Sequence, residues 1–191
     1  MKASLFLEEI YKYGYRNFTG VPCSIIKPII NNVIDSPNYN YIPATVEGEA
    51  AAIAAGLFLG SEYSVVMMQN SGLGNIVNPV ASLLNSYKIP ALFIVTWRGE
   101  AGKDAPQHKL MGEITLKLLN LLEIEYEIVE DSYEHLQTIL KKADNAIKNE
   151  RKQFALVVRK GLMEPSELKS KESYTRERSE EHTSELQSRQ V

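Results

Sequence analysis

The segment Ala91-Leu-Phe-Ile-Val-Thr96 is apolar along almost its whole length, and Phe154-Ala-Leu-Val-Val158 repeats the pattern. Runs this short, and this rich in branched residues, are typical of strands that helices cover on both faces. Up to about Gly161, helical patterns alternate with such runs, and Gly and Pro mark the joins. The sequence therefore predicts an α/β fold: a doubly wound, mainly parallel, six-stranded sheet with helices on both faces.

The predicted helices and strands alternate along the chain. Helices are expected over Ser4–Tyr13, Ser24–Ile34, Val46–Leu59, Gly74–Tyr87, His108–Leu122 and Tyr133–Asn149. Strands are expected over Asn17–Thr19, Tyr39–Ile42, Ser64–Met68, Ala91–Thr96, Tyr126–Val129 and Phe154–Val158. We expect the strand Tyr39–Ile42 to be buried and Ser24 to cap the second helix.

Composition and charge narrow the class of protein. With 191 residues, 44% of them hydrophobic and 24% charged, the chain can build one sizeable core, and we expect one domain over residues 1–163. A net charge of −3 without a basic block favours neither nucleic acid nor a membrane surface as a partner. The single cysteine, Cys23, rules out an internal disulfide, and no apolar run is long enough to span a bilayer, so we expect a cytoplasmic protein.

The sequence changes character after Lys160. Residues 164–177 have little to bury, and we expect a disordered polar linker there. Residues 178–191, which include Arg178-Ser-Glu-Glu-His-Thr-Ser-Glu-Leu-Gln-Ser188, look like the in-frame translation of a sequencing-library adaptor, and we expect them to be an artefact. The alternative is a genuine polar tail.

An alanine-rich helix is predicted around the stretch Glu47-Gly-Glu-Ala-Ala-Ala-Ile-Ala-Ala-Gly56. Its acids follow a predicted strand, and strand-to-helix junctions are where open α/β sheets bind ligands. Glu47 can be a reactive carboxylate, or Glu47 and Glu49 can be ordinary first-turn acids that complement the helix dipole. The small residues of this helix also offer a face for close packing against a partner.

Two more loops follow predicted strands. Gly20-Val-Pro-Cys-Ser24 opens the second helix, and Gln69-Asn-Ser-Gly-Leu-Gly-Asn75 opens the fourth. The later loop crowds amides, a hydroxyl and two glycines together, and it can present polar groups to a ligand. It lacks the spacing and the lysine of a nucleotide triphosphate loop. Each of the two loops can equally be a structural turn.

The loop between Trp97 and Gly112 is a long polar excursion from another predicted strand. It carries Arg98 and His108, which suit anion binding and proton transfer near neutral pH. The structural alternative is that His108 caps or packs at the start of the next helix. Since His108 and His135 are isolated and no carboxylate pair shows ligand spacing with them, we predict no metal site in this chain.

Six short segments occur together in a fixed order: Gly20–Ser24, Glu47–Gly56, Met68–Asn75, Arg98–Gly102, Ala105–His108 and Arg159–Gly161. In this combination, residues 1–163 resemble the amino-terminal, pyrimidine-binding domain of the thiamine diphosphate-dependent decarboxylases. Within that family the likeness is to the decarboxylases of phosphonopyruvate, and those of sulfopyruvate are close relatives. The resemblance implies thiamine diphosphate as cofactor and a small 3-substituted pyruvate as substrate, with 3-phosphonopyruvate giving phosphonoacetaldehyde and CO2 in phosphonate biosynthesis.

The resemblance assigns the family's glutamate to Glu47 rather than Glu49, because Glu47 stands nine residues before Gly56. This carboxylate is expected to hydrogen-bond the pyrimidine ring of the cofactor and to act in catalysis, with His108 as a proton relay. Further cofactor contacts are expected from Pro22, Asn70, Ser71 and Gly72, and substrate contacts from Ser24, Arg98, Gln107 and His108.

The resemblance also implies that part of the site lies elsewhere. In this family a second domain binds Mg2+ and the diphosphate, and its motifs do not occur in these 191 residues. We therefore expect a fragment that is inactive alone, from a protein that forms a homo-oligomer or acts as an alpha subunit with a separate diphosphate-binding chain. The alternative is a non-catalytic, Rossmann-like binding module in which Glu47 is only a helix-terminal acid.

Overall fold

The computed structural model of the protein describes residues 1–170. The α-helices are α1 (Ala3–Lys12), α2 (Lys27–Asp35), α3 (Glu47–Leu59), α4 (Leu73–Pro79), α5 (Lys109–Leu121) and α6 (Tyr133–Lys148). The strands are β1 (Asn17–Gly20), β2 (Asn40–Pro43), β3 (Ser64–Gln69), β4 (Leu92–Trp97), β5 (Glu125–Ile128) and β6 (Phe154–Arg159). Short 3-10 turns cover Asn70–Gly72, Glu100–Gly102 and Pro106–His108, and a π-helical turn covers Val80–Asn85. Within the described range, no helix is both long and apolar enough to cross a bilayer.

All six strands pair in parallel, in the order β2-β1-β3-β4-β6-β5. Parallel strands need a crossover between them, and a helix lies in each one. The strands β1, β3, β4 and β6 are buried along nearly their whole length. The predicted α/β fold with a doubly wound parallel sheet is confirmed.

The two faces of the sheet belong to two separate hydrophobic cores. On β4, Leu92 and Ile94 enter the core beneath α1, α2 and α6, whereas Phe93 and Val95 enter the core beneath α3, α4 and α5. Alternate residues of a strand point to opposite faces of the sheet. A strand between two cores therefore has to be apolar throughout, which explains the pattern of Ala91–Thr96.

Two helices differ from their predicted bounds by more than one residue at an end. α2 begins at Lys27, and no side chain caps it, so the predicted cap at Ser24 is wrong. Residues 24–26 form a turn before the helix instead. The predicted helix Gly74–Tyr87 is divided, because α4 ends at Pro79 and the wider π-helical turn follows. Proline has no N–H with which to continue the regular hydrogen-bond ladder.

Strand β2 lies at an edge of the sheet. Within residues 1–170 it pairs with β1 alone, so Asn40 and Pro43 are exposed and Tyr41 and Ile42 are half-buried. The prediction that this strand is buried was wrong. An edge strand tolerates proline because one of its sides has no hydrogen-bond ladder to interrupt.

The alanine face of α3 is used inside the domain. Four of its residues are at most 3% exposed and belong to the core with α4 and β3: Ala50, Ala51, Ala54 and Ala55. The two helices approach so closely that a Cβ on Gly48 would lie 3.2 Å from the Asn75 carbonyl oxygen. This face is therefore not free for the partner contact that the sequence suggested.

Residues 164–170, at the start of the predicted linker, lie against α2. The Asn31 side chain donates to the Ser166 carbonyl oxygen at 2.7 Å, and the Asp35 carboxylate accepts two backbone N–H groups of the segment at 2.8 to 3.2 Å. These bonds fix a segment without regular secondary structure. The remainder of the predicted linker and the predicted artefact at 178–191 lie outside the described residues.

Candidate functional site

The predicted site residues belong to segments at the carboxyl ends of β1, β2, β3 and β4. In the sheet, β2 lies on one side of β1 and β3 lies on the other. The chain that leaves β1 leads outward to β2, whereas the chain that leaves β3 leads in the opposite direction to β4. A crevice opens at such a point in a doubly wound sheet, and ligands bind there. Three segments meet at this crevice: the loop after β1, the start of α3 and the turn after β3.

Glu47 is the first residue of α3 and is 8% exposed. The Asn75 side chain donates a 2.7 Å hydrogen bond to Glu47 Oε2. Gly72 packs directly on the carboxyl group, since a Cβ on Gly72 would lie 2.4 Å from Glu47 Oε1. Within residues 1–170 Oε1 has no hydrogen-bond partner and is not among the fully buried polar atoms, so it is available to a ligand.

Glu49 has a local, structural role. Its carboxylate accepts hydrogen bonds from the backbone N–H and the hydroxyl of Thr45, at 2.7 and 2.6 Å. These bonds lower the pKa of the exposed Glu49 carboxyl. They close the first turn of α3 in a way similar to a capping box. Of the two acids in this turn, Glu47 is the one that remains free for chemistry.

Asn70 is fully buried and joins two loops. Its amide donates to the Arg98 carbonyl oxygen and to Thr115 Oγ1, each at 2.8 Å, and its carbonyl oxygen accepts the Arg98 N–H at 3.3 Å. Both N–H groups of the amide are thus committed inside the protein. The Asn70 side chain positions the loop that begins at Arg98, and it can contact a cofactor only by giving up one of these bonds.

Arg98, Asp104 and His108 form a connected group in the loop after β4. The Arg98 guanidinium binds the Asp104 carboxylate through Nε and Nη2, at 2.9 and 3.1 Å. His108 Nδ1 lies 3.3 Å from Asp104 Oδ1, an ion-pair distance without the alignment of a hydrogen bond. Hydrogen bonds from Arg98 and from the Ala105 N–H hold the pKa of Asp104 well below its usual range, and the bond to Asp104 raises the pKa of Arg98.

Two glycines pack this loop closely against α5. Gly99 has a φ of +75°, and a Cβ on it would lie 2.1 Å from the His108 carbonyl oxygen. A Cβ on Gly112 would lie 2.0 Å from the Gly99 carbonyl oxygen. Arg159 Nε, at the end of β6, binds the Glu100 carboxylate at 2.8 and 3.0 Å. The loop is therefore held by both the neighbouring helix and the neighbouring strand.

The loop after β1 starts at Gly20, which has a φ of +149° and where a Cβ would lie 1.9 Å from the Met67 carbonyl oxygen. A cavity of about 320 Å³ beside this loop is lined by residues of the loop and of α2: Pro22, Cys23, Ser24, Lys27, Ile30 and Asn31. Cys23 is half-buried, and its Sγ lies 3.5 Å from Thr96 Oγ1. This contact brings the loop next to the strand that leads into Arg98.

The structure thus forms two groups of predicted residues, one around Glu47 and one around Arg98. The Ser71 side chain lies outside them: it is exposed, and its hydroxyl accepts a 2.8 Å hydrogen bond from Gln69 Nε2. Gln107 is exposed in the turn before α5. Within residues 1–170 no hydrogen bond joins either group to four of the predicted residues: Pro22, Ser24, Ser71 and Gln107.

Sequence reasoning missed three residues of these groups, namely Asn75, Asp104 and Thr115. Asn75 comes three residues after Gly72, a spacing that places side chains on one helix face. Asp104 stands four residues before His108, inside a loop that the sequence already singles out. Thr115 carries no such signal, since a threonine within a helix is indistinguishable from an ordinary packing residue.

Comparison with known proteins supports a functional reading of this arrangement. The family described as thiamine pyrophosphate enzyme, N-terminal TPP binding domain, matches residues 2–119, which include both groups. The chain belongs to this family. Thiamine pyrophosphate is the same compound as thiamine diphosphate, so the predicted family and cofactor class are confirmed.

This thiamine pyrophosphate enzyme domain is similar to curated proteins of two kinds. It is 50% identical over 126 residues to a phosphonopyruvate decarboxylase of Streptomyces viridochromogenes, and 45% identical over 138 residues to one of Streptomyces hygroscopicus. These matches cover 65% and 72% of the chain, and it spans only 32% and 34% of those relatives. A sulfopyruvate decarboxylase subunit alpha of Methanococcus maripaludis is 38% identical over 123 residues, which are 62% of the chain and 74% of that subunit.

The residues around Glu47 fit the pyrimidine end of thiamine diphosphate. Glu47 offers one carboxylate oxygen without a partner among the described residues, and the absence of a side chain on Gly72 lets the carboxyl group pack directly against the turn after β3. A flat nitrogen heterocycle can be held in one orientation by such a fixed acceptor.

Proposed function

We propose that this chain is the pyrimidine-binding half of a thiamine diphosphate-dependent decarboxylase that converts 3-phosphonopyruvate to phosphonoacetaldehyde and CO2. The proposal depends on the position of Glu47, a buried carboxylate at the start of α3 that Asn75 holds through Oε2 and that is open at Oε1. The similarity to phosphonopyruvate decarboxylases supports the choice of substrate.

In this proposal Glu47 Oε1 accepts a hydrogen bond from the pyrimidine ring while Asn75 keeps Oε2 in place. Gly72 lets the Glu47 carboxyl group pack against the turn after β3, and Pro22 and Ser71 line the ring. When bound, thiamine diphosphate would supply a ring that stabilises the electron pair left on the 2-keto carbon when CO2 departs. The residues of this chain place that ring and keep a proton-transfer partner beside it.

The phosphonate of the substrate is placed against the loop after β4, with Arg98 as its cationic partner. Arg98 binds Asp104 through Nε and Nη2, and Nη1 forms no hydrogen bond within residues 1–170, so its N–H groups suit a phosphonate oxygen. His108 is the residue that returns a proton to the carbon that loses CO2. Ser24 and Gln107 supply further hydrogen bonds to the substrate.

The diphosphate half of the active site is assigned to a further domain or to a separate chain, in a homo-oligomer or a hetero-oligomer. Residues 1–170 contain no group of three or more His, Cys, Asp or Glu side chains arranged to hold a metal ion. We assign Mg2+ and the diphosphate to that other half. The chain spans about a third of the phosphonopyruvate decarboxylases it matches, whose remaining length is ample for such a domain.

Glu47→Gln tests the proposal in the enzyme assembled with its diphosphate-binding half. The amide keeps the shape of the side chain but loses the anionic acceptor, so decarboxylation of 3-phosphonopyruvate should fall about 10²- to 10⁴-fold, with the circular dichroism unchanged. Glu49→Gln is the matched control, because the Glu49 carboxylate binds Thr45, and it should keep nearly full activity. Equal turnover by the two variants would overturn the proposal.

A second candidate function is that of the alpha subunit of a sulfopyruvate decarboxylase. One observation favours it: the chain is 38% identical over 123 residues to such a subunit. Phosphonate and sulfonate groups are both anions that Arg98 can bind. The kcat/KM of the wild-type assembly for each substrate separates the candidates, and a higher value for sulfopyruvate would replace the first assignment by the second.

A further inference from the structure

Asp104 accepts three hydrogen bonds and lies close to a fourth polar group. Arg98 Nε lies 2.9 Å from Oδ2, while Arg98 Nη2 and the Ala105 N–H lie 3.1 and 2.8 Å from Oδ1. His108 Nδ1 lies 3.3 Å from the same Oδ1, without the alignment of a hydrogen bond. With its side chain 8% exposed, Asp104 faces the protein and not the solvent.

His108 depends on Asp104 because its Nδ1 has no other partner. Nδ1 is buried and forms no aligned hydrogen bond within residues 1–170, although buried polar atoms are nearly always paired. The acceptor within reach is Asp104 Oδ1, 3.3 Å away, and a hydrogen bond between the two atoms would satisfy Nδ1. Such a bond keeps the proton on Nδ1 and leaves Nε2 as the reactive nitrogen.

We propose that Asp104 is a positioning residue that ties Arg98 and His108 into one unit, so that the guanidinium and the imidazole face the substrate at a fixed separation. This inference rests on the proposed function, because it concerns the same site. Asp104 acts through these two side chains and is not itself a substrate contact. It fixes the tautomer of His108 and leaves Nη1 of Arg98 for the anion.

The backbone around this unit is already fixed by neighbouring elements. Asn70 binds both the N–H and the carbonyl oxygen of Arg98, and Gly99 packs on the backbone of His108. These contacts fix the main chain at Arg98 and at His108. They do not fix the orientation of the two side chains. Among the described residues, Asp104 is the group that contacts both side chains.

The tautomer of His108 tests this inference without catalysis. In the chain labelled with 15N-histidine, at about pH 8.5, His108 should carry its proton on Nδ1. His135 is an internal reference of the opposite kind, because its Nδ1 accepts the Glu130 N–H at 3.4 Å. Asp104→Asn should move His108 toward the Nε2–H form and leave His135 unchanged, which also reports that the variant is folded.

Two further variants sharpen the test. Glu100→Gln is the matched control in the same loop, since Glu100 binds Arg159 instead, and it should leave His108 unchanged. Asp104→Glu keeps the negative charge and should retain the Nδ1–H form. In the assembled enzyme, Asp104→Asn should raise KM for 3-phosphonopyruvate and lower kcat, each about tenfold, while Glu100→Gln stays near the wild type.

The outcomes distinguish this inference from the proposed function. An unchanged Nδ1–H signal in folded Asp104→Asn overturns the positioning role, whatever the activity of the assembly. A wild-type assembly that decarboxylates neither substrate overturns the proposed function instead, and the His108 signal then still decides whether Asp104 holds the imidazole.

Discussion

Glu47 and Glu49 stand two residues apart at the start of one helix, yet their surroundings differ. Glu49 is exposed and bonded to Thr45, whereas Glu47 is buried against Gly72. The sequence resemblance selects Glu47 by its spacing to Gly56. The structure distinguishes Glu47 from Glu49 by the contact between Glu47 and Gly72. These two residues are far apart in the chain, so no local sequence pattern predicts their contact.

The side-chain amides of Asn70 and Asn75, which follow β3, have hydrogen-bond partners that the sequence does not predict. Sequence reasoning predicts Asn70 as a ligand contact and omits Asn75, but the structure directs Asn70 into the protein and Asn75 toward Glu47. The two amides have the same chemistry, and the 3-10 turn Asn70–Gly72 determines where each one points. The types of residue in the site could be predicted from the sequence, and their partners could not.

Gly72→Ala should damage the site without unfolding the domain. The new Cβ would lie 2.4 Å from the Glu47 carboxyl group, so the carboxylate has to leave its position. A displacement of about 1 Å at a catalytic group costs about 10²-fold, and we expect a loss of that size in the kcat/KM of the assembled enzyme. Calorimetric titration should also show weaker binding of thiamine diphosphate.

Gly74→Ala provides the control for that experiment, two residues later in the same stretch. A Cβ on Gly74 meets nothing within 4 Å, so binding and activity should stay near those of the wild type. Equal losses in both variants would mean that helix α4 had been damaged, and not the space beside Glu47.

For the helices and strands, the sequence predicts the type of each element more accurately than its first and last residues. The apolar runs of β4 and β6 identify strands that are buried on both faces, because each run contributes to both cores. The predicted bounds failed where local backbone chemistry intervened, as where Pro79 ends α4. The prediction that β2 is buried failed because β2 lies at the edge of the sheet. The order of the strands decides which strand is at the edge, and the sequence of one strand does not reveal that order.

Gly112→Ala tests how the loop after β4 is docked on α5. The added Cβ would lie 2.0 Å from the Gly99 carbonyl oxygen, a backbone atom that cannot move aside easily. Overpacking of this kind costs about 1–3 kcal/mol. Urea denaturation should therefore give a lower free energy of unfolding for this variant.

Gly56→Ala is the matched control, and its expected effect has the opposite sign. Gly56 is an exposed residue of α3, and a Cβ on it meets nothing within 4 Å. Alanine in place of glycine inside a helix stabilises by about 0.5–1 kcal/mol. If Gly112→Ala were as stable as Gly56→Ala, the close contact between the loop and α5 would be refuted.

At the scale of the whole molecule, the sheet carries a core on each face, and residues 164–170 extend the covered surface across α2. The polar composition of that segment predicts a linker, because the segment has little to bury. Asn31 and Asp35, far away in the chain, bind its backbone. The composition of the segment does not reveal those partners.

Glu9 makes the stability of the whole domain sensitive to acid. Burial alone would raise its pKa, but hydrogen bonds from Lys12, Tyr133 and Gln137 outweigh burial and lower the pKa below the ordinary value of 4.5. Because the unfolded chain then binds the proton more readily, the contribution of Glu9 to stability is present above that value. It is lost as the pH falls through the folded-state pKa, so the free energy of unfolding should decrease on acidification.

Glu9→Gln should be less stable than the wild type at neutral pH, and its free energy of unfolding should depend less on pH between about 5 and 3. Glu8→Gln, at the neighbouring exposed position, should follow the wild-type curve. Parallel curves for Glu9→Gln and the wild type across this range would show that other carboxyl groups govern unfolding in acid.

The half-buried thiol of Cys23 lies at the carboxyl ends of β1 and β4, and the chain contains no second cysteine. A maleimide dye would therefore label one defined place without any prior mutation. Its emission would respond to the polarity of the crevice, and slower alkylation in the presence of a ligand would report occupancy by protection. The protein thus has a natural attachment point for an optical reporter beside its own candidate site.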